Sequence, residues 1–251
     1  MENNDILVGL IAFSMVFLAA VLMVVFAILR GRNAALRREI PAIDRTKQAV
    51  GRLVEDGSRL HISLGRGGLI APQGASALAG LSVLNAVSRL TSTSDKPPIA
   101  TSGEASLAFL SQDILQRAAG NMGPAGRDIP AGRLSGLTPF SYAAGVIPAI
   151  HDEKVSATIM VGNFGMEAGL MAEAAERANT FSLGGSDNLA AQAVVFATAK
   201  ETLVGEELFA AAAYIDPTPV HNASLAVQDI LRWLTILAIL GWSFLKVTGI
   251  L

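Results

Sequence analysis

The sequence predicts an α/β domain with a mainly parallel sheet of about five strands and helical crossovers, flanked by an N-terminal and a C-terminal transmembrane helix. Short strand-like segments alternate with helical patterns of 10–15 residues, and connections of this length join parallel strands. Long apolar segments without acidic residues occupy both ends of the chain. We therefore expect four regions: a membrane anchor at 1–30, a basic juxtamembrane helix region at 31–57, a cytoplasmic α/β domain at 58–222, and a C-terminal helix at 223–251 that enters and spans the membrane.

The first terminal segment has the length of a membrane anchor. Ile6–Leu29 contains 24 residues and no ionisable side chain, about 36 Å of helix against a hydrocarbon core of ~30 Å. Its acidic start and its length distinguish it from a cleaved secretory signal. The second segment, Trp233–Leu251, carries Lys246 and two glycines, so it either spans the membrane or lies on its surface. Because its apolar residues cover all faces of the helix, spanning is favoured.

The cations beside the first segment predict its orientation. Seven Lys and Arg residues lie between Arg30 and Arg52, whereas the tail that precedes Ile6 contains none. Positive charge is retained on the cytoplasmic side of a membrane. The sequence therefore predicts a two-pass protein with both termini outside and the middle domain in the cytoplasm.

The first half of the domain contains an initial helix and two strand–helix pairs. Pro41 marks a break, and apolar residues at helical spacing predict a helix over Ala42–Glu55 that stops at Gly57. Arg59–Leu64 alternates apolar and polar residues as a strand does, which places His61 on the face opposite to its leucines. Apolar content and length predict three further elements: a helix over Ala75–Leu90, a strand over Pro98–Ala100 and a helix over Glu104–Ala119.

The second half starts after a loop. Residues 120–132 contain four glycines and two prolines, which predicts a connection without regular structure. The strongest strand pattern of the chain follows at Val155–Val161, rich in β-branched and apolar residues. The other predicted elements of this half are a strand at Arg133–Leu137, a helix that begins at Pro139, a helix over Met166–Ala178, a strand at Thr180–Leu183 and helices over 187–199 and 203–214.

Five predicted strand-to-helix turns share glycine or small polar residues. In a parallel sheet these turns meet at the carboxyl edge of the strands, where open α/β sheets bind their ligands and helix N-termini attract anions. This pattern predicts a site for a nucleotide or another anionic ligand, formed by Arg66, Gly67, Gly68, Ser102, Gly165 and Ser186. The alternative is that the same residues cap helices and relieve strain in turns, without a ligand.

The sequence contains no recognisable catalytic or metal-binding motif. It has no cysteine, no Gly-Lys-Ser/Thr phosphate loop, no His-Glu-x-x-His pattern and no Gly-x-Ser-x-Gly elbow. We therefore assign no catalytic residue, no metal ligand and no cofactor, and a role other than catalysis is favoured. Glu206 or Glu207 is expected to be buried and paired with an arginine, and the segment 151–154 to form a solvated turn.

Six segments resemble an uncharacterised bacterial membrane-protein family that is catalogued as a domain of unknown function. They are LHISLGRGGL (60–69), LTPFSYAAG (137–145), GNFGMEAGL (162–170), GSDNLAAQAVVFATA (185–199), GEELFAAAAY (205–214) and SLAVQDILRW (224–233). The resemblance covers nearly the whole chain. It implies a location in the bacterial inner membrane and supplies no catalytic residue.

The composition favours a self-assembling structural or interaction module over the ligand-binding alternative. Only 36 of the 202 residues from 31 to 232 are charged, about 18% against ~25% in ordinary soluble domains. Burial against identical copies would account for this deficit, so we expect a homo-oligomer beside the lipid bilayer. An accessory subunit of a larger membrane complex is a third possibility. The net charge of −2 and the cations beside the membrane argue against nucleic-acid binding.

Overall fold

The computed structural model describes residues 2–30, 39–94, 96–119 and 131–248. The predicted loop, except its last two residues, and residues 31–38 of the basic region lie outside the described residues. The chain forms two compact units: Glu39–Asp216, and the two terminal segments Met1–Arg38 and Pro217–Leu251 together.

The first unit alternates helices and strands as the sequence predicts. Most predicted elements are present, with ends that differ from the expected ones by a few residues. The helices are α2 (Pro41–Glu55), α3 (Gly74–Leu90), α4 (Ala105–Ala119), α5 (Pro139–Asp152), α6 (Ala168–Arg177), α7 (Leu189–Thr198) and α8 (Glu207–Ile215). The strands are β1 (Arg59–Gly65), β2 (Ile99–Ser102), β3 (Gly132–Leu134), β4 (Val155–Asn163), β5 (Phe181–Ser186) and β6 (Glu201–Thr202).

The strands form one sheet in the order β3-β2-β1-β4-β5-β6, and each neighbouring pair is parallel. This confirms the predicted parallel α/β architecture. The expected number of strands is wrong by one, because the described sheet has six. Strand β6 is not predicted from the sequence because it has only two residues, both polar, which pair with Leu183 and Gly184 of β5. A segment this short carries no strand periodicity.

Helices cover both faces of the sheet. On one face α2, α3, α4 and α8 enclose a core with the inward side chains of the central strands, which include Leu60, Ile62 and Ile159. On the other face α5, α6 and α7 pack around Tyr142, Met160 and Phe164. Because both faces are covered, β1 is buried from Leu60 to Gly65, including its polar residues. The result is a three-layer, doubly wound arrangement.

The second unit contains two long helices that pack against each other: α1 (Glu2–Arg30) and α9 (Pro219–Val247). Among the described residues α9 is long and apolar enough to cross a membrane, by length and composition. The apolar part of α1, Ala12–Ile28, is shorter. Large apolar side chains on both helices are exposed, among them Phe13 and Trp233.

Candidate functional site

The six predicted ligand residues lie together at the carboxyl edge of the sheet. Gly67 and Gly68 follow β1, Ser102 ends β2, Gly165 follows β4, and Ser186 ends β5, while Arg66 is the first residue after β1. These four strands are adjacent in the order β2-β1-β4-β5. From β1 the chain proceeds outward through β2 to β3, and it then crosses to β4 and proceeds in the opposite direction through β5 to β6. The place between β1 and β4 is therefore the switch point, at which doubly wound sheets bind ligands.

Arg66 is paired inside the protein at this switch point. Its Nε lies 3.1 Å from Oε1 of Glu167, which is 2% exposed. The same carboxylate oxygen accepts a hydrogen bond of 2.9 Å from the backbone N–H of Gly165. The carboxylate of Glu167 therefore occupies a position where an arginine and a backbone donor would hold an external anion.

Two glycines are required by the close approach of the turns. Gly65 has a φ of +74°, and a Cβ atom there would lie 2.2 Å from the carbonyl oxygen of Asn163. A Cβ atom at Gly103 would lie 2.3 Å from Cγ of Arg66. The first glycine lets the ends of β1 and β4 meet, and the second leaves room for the arginine side chain. Both therefore serve the packing of the edge itself.

The two predicted serines act within their own turns. The Oγ of Ser102 donates to the carbonyl oxygen of Glu104 at 3.0 Å. The Oγ of Ser186 accepts from the backbone N–H groups of Phe164 at 3.1 Å and of Asn188 at 3.2 Å. Both serines are buried. Their geometry agrees with the alternative in which these residues organise turns.

The helix N-termini at this edge fall into two groups. Side chains of the chain cap three of them: Glu104 accepts from the N–H of Leu107, Thr138 forms a capping box with Ser141, and Asn188 accepts from two N–H groups of α7. Burial is the largest single influence on Glu104 and acts to raise its pKa, but hydrogen bonds from Ser106 and from the N–H of Leu107 together hold that pKa below its ordinary value. Within the described residues, α3, α6 and α8 have no side-chain cap. The first two of these follow the central strands β1 and β4, and α8 follows the edge strand β6.

Tyr142 organises the structure beneath the edge, and the sequence analysis does not single it out. Its hydroxyl donates to the carbonyl oxygen of Thr101 at 3.1 Å, contacts Oγ of Ser63 at 2.6 Å and accepts from the N–H of Gly65 at 3.3 Å. Complete burial raises the pKa of Tyr142. Its position one turn after the Thr138-Pro139 helix start is a sequence signal for a core-facing aromatic residue.

A buried polar layer extends below Tyr142 on the same face of the sheet. Nε2 of His61 lies 2.9 Å from Oγ1 of Thr101. Within the described part of the chain, Nδ1 of His61 and Oγ1 of Thr158 have no hydrogen-bond partner, although these residues are register neighbours on β1 and β4. Burial lowers the pKa of His61 to about 4, so its imidazole is neutral near pH 7.

The expected burial of Glu206 or Glu207 is wrong. Glu206 is exposed and Glu207 is half-buried, with its carboxylate accepting from the N–H of Val204. The buried glutamate is Glu167 instead. In the segment 151–154 the residues His151, Asp152 and Lys154 are exposed as expected, whereas Glu153 is partly buried and bridges Arg59 and Arg133. Although burial acts to raise it, these two arginines hold the pKa of Glu153 below its usual range.

Large apolar side chains surround the carboxyl edge and remain exposed. Each belongs to a turn after a strand or to the first turns of the following helix, and each is 69–102% exposed. We call this set the apolar rim: Ile70, Leu137, Phe140, Met166 and Leu189. Soluble proteins expose single apolar residues routinely, but a concentration of large ones at one edge marks an interaction surface.

Two cavities in the described part of the α/β unit lie elsewhere. One of about 370 Å³ is lined by residues of α2, α7 and β6, and another of about 510 Å³ lies between α3 and α4. None of the six predicted ligand residues lines either cavity. Among the described residues no group of three or more His, Asp or Glu side chains can hold a metal ion.

The fold and the edge define a doubly wound α/β unit. In the sequence this unit lies between two terminal helices, and the second of these is a candidate membrane span. The model of a protein family described as Domain of unknown function (DUF6754) matches residues 3–250. The chain therefore belongs to this family, which confirms the predicted membership of an uncharacterised family. No curated protein and no solved structure matches the chain.

Proposed function

We propose that this protein is a membrane-anchored interaction module whose α/β unit self-assembles on the cytoplasmic face of a bacterial inner membrane. The observation that carries the proposal is the apolar rim, because it places five large apolar side chains in water at the edge where a doubly wound sheet would bind a ligand. Exposure of these side chains to water costs free energy. Burial against another protein surface removes that cost, at about 25 cal/mol per Å² of apolar area.

The membrane arrangement in this proposal has two spans. Helices α1 and α9 each contain 29 residues, about 43 Å of helix at 1.5 Å per residue, and both expose large apolar side chains. The cations after the first segment favour a cytoplasmic α/β unit with both termini outside. A reporter enzyme fused at either terminus is expected to act as extracytoplasmic, whereas cleavage of the α/β unit by protease added to intact cells contradicts the orientation.

Mass measurement tests self-assembly directly. The full chain is purified in mild detergent and its protein mass is determined by light scattering over a range of concentrations. We expect an oligomer that dissociates on dilution. Phe140→Glu is expected to weaken it if the rim contributes to the contact. Asn85→Glu, on the exposed side of α3, is the control. A monomer at every concentration, in detergent and in lipid vesicles alike, contradicts the proposal.

The second candidate function is binding of an anionic ligand, such as a nucleotide, at the switch point. It is favoured by a specific geometry: the helices after β1 and β4 lack side-chain caps in the described structure, and Arg66 lies between their turns. In this alternative the ligand displaces the carboxylate of Glu167 from its position beside Arg66. The internal Arg66–Glu167 pair makes this the less favoured function.

Phosphate binding tests whether the switch point binds an anion. In the binding alternative, Glu167→Gln removes the competing charge and increases the affinity for inorganic phosphate, as measured by ³¹P NMR line broadening. Arg66→Gln abolishes it. The matched control is Glu173→Gln on the exposed side of α6. Absence of binding to the wild-type chain and to Glu167→Gln at millimolar phosphate removes the alternative.

A further inference from the structure

The outer side of α7 is an apolar helix face that no other described element of the α/β unit covers. Within α7 the buried residues are Ala191 and Val195, which face the sheet. The exposed residues recur at the spacing of one helix side. We call this set the α7 stripe: Leu189, Ala190, Ala193, Phe196 and Ala197. No polar side chain interrupts the stripe, and Leu189 continues it into the apolar rim.

We propose that the α7 stripe is the contact through which two copies of this chain associate, with the two α7 helices antiparallel about a two-fold axis near Ala193. This inference rests on the proposed self-assembly and names its surface.

The distribution of side-chain size along the stripe suits such a pairing. Small Ala193 lies at the middle, and the large residues Leu189 and Phe196 lie toward opposite ends. A two-fold axis through the middle places Leu189 of one copy beside the end of α7 that carries Phe196 of the partner subunit. The alanines permit the short interaxial separation, about 8 Å, at which such side chains interdigitate.

The charges at the two ends of α7 also favour a second copy over other occupants. Asp187 is exposed before the helix begins and Lys200 is exposed after it ends. An antiparallel pair brings Asp187 beside Lys200 of the partner subunit, twice by symmetry, whereas a parallel pair brings like charges together. The stripe itself has no cation, so it lacks the charge that attracts an anionic lipid surface.

The small size of the contact explains why association of two copies would require the membrane anchor. A ten-residue helix is about 15 Å long, and its face is much smaller than the ~800 Å² per partner of a standard stable interface. A free partner in solution would therefore bind weakly. Copies held in one membrane meet at a raised effective concentration, which makes a small self-complementary contact sufficient.

The absence of cysteine from the chain permits a clean crosslinking test. Ala193→Cys in the otherwise unchanged full chain, reconstituted in lipid vesicles, is expected to form a disulfide dimer under mild oxidation, because the two-fold axis places the two Cβ atoms within bonding range. Asn85→Cys, exposed on the opposite face of the unit, is the control and is expected to remain monomeric. Equal crosslinking of both variants, or a product whose mass is not twice that of the chain, overturns the proposal.

A charge exchange tests the orientation. Lys200→Glu is expected to raise the dissociation constant several-fold, because a surface ion pair is replaced by repulsion at two symmetric positions. The double variant Asp187→Lys/Lys200→Glu is expected to recover most of the loss. Ala193→Glu, which places two like charges at the axis, is expected to weaken association at least tenfold with an unchanged melting temperature. No change in any of these variants contradicts the α7 contact.

The outcomes separate this inference from the proposed function. A wild-type chain that is monomeric in both detergent and vesicles removes both. An oligomer that tolerates Ala193→Glu and gives no Ala193→Cys disulfide keeps self-assembly and removes the α7 contact.

Discussion

At the scale of single residues, the buried polar side chains determine how the α/β unit responds to pH. His61 is fully buried, and its only hydrogen-bond partner in the described structure is Thr101. Since burial lowers the pKa of His61 from 6.5 to about 4, the unfolded chain binds a proton in this range and the folded chain does not. Acidification from pH 6.5 to 4 therefore destabilises the fold, by at most roughly 3 kcal/mol from this residue.

Thermal unfolding of the full chain in detergent checks this prediction. The melting temperature of the wild type is expected to fall between pH 6.5 and 4.5 more steeply than that of His61→Gln. Carboxylates with lowered pKa values, such as Glu153, lose their contribution as pH falls below their unfolded pKa of about 4.5, and they do so in both proteins. Parallel profiles for the two proteins would show that His61 does not carry this dependence.

Tyr142 provides a second prediction at the residue scale. Tyr142→Phe removes the hydroxyl that joins Thr101, Ser63 and the N–H of Gly65, and leaves buried polar groups without a partner. The expected cost is about 1–3 kcal/mol in the free energy of unfolding. A loss within 0.5 kcal/mol in chemical denaturation would indicate that water replaces the hydroxyl.

At the scale of secondary-structure elements, the start of α5 depends on a local motif. Thr138 precedes Pro139 at the first helical position and exchanges hydrogen bonds with Ser141. Thr138→Ala is expected to reduce the free energy of unfolding by about 1 kcal/mol, and Thr138→Ser to retain most of it. Equal stability of the alanine and serine variants would show that the capping box does not stabilise the helix.

The elements also show which features a sequence can predict. Val155–Val161 is identified because it is a run of apolar and β-branched residues, and Arg59–Leu64 because it alternates apolar and polar residues. The two-residue strand β6 has no such signal. At the edge, turn chemistry predicts that Arg66 and Gly165 lie near each other. It does not predict that Glu167 neutralises Arg66, because that contact depends on the tertiary approach of the turns after β1 and β4.

At the scale of the whole molecule, the asymmetry of charge about the first apolar segment predicts the orientation. Replacement of several arginines between Arg30 and Arg52 by glutamine is expected to produce a mixed orientation, measured by the protease accessibility of the α/β unit in intact cells. The control is replacement of the same number of cations far from the segment, including Arg117 and Arg177. A uniform orientation in the first variant would mean that the folded unit itself prevents translocation.

The shortness of the two outermost strands has a consequence for how this protein behaves when it is concentrated. Strand β3 has three residues and β6 has two. Edge strands this short offer almost no free main-chain N–H and C=O groups to a strand of another molecule. Pairing between such edge strands is how many sheets begin to form fibrils. Overproduction is therefore expected to yield reversible clusters of folded protein rather than amyloid deposits. Failure of such clusters to bind thioflavin T is the corresponding observation.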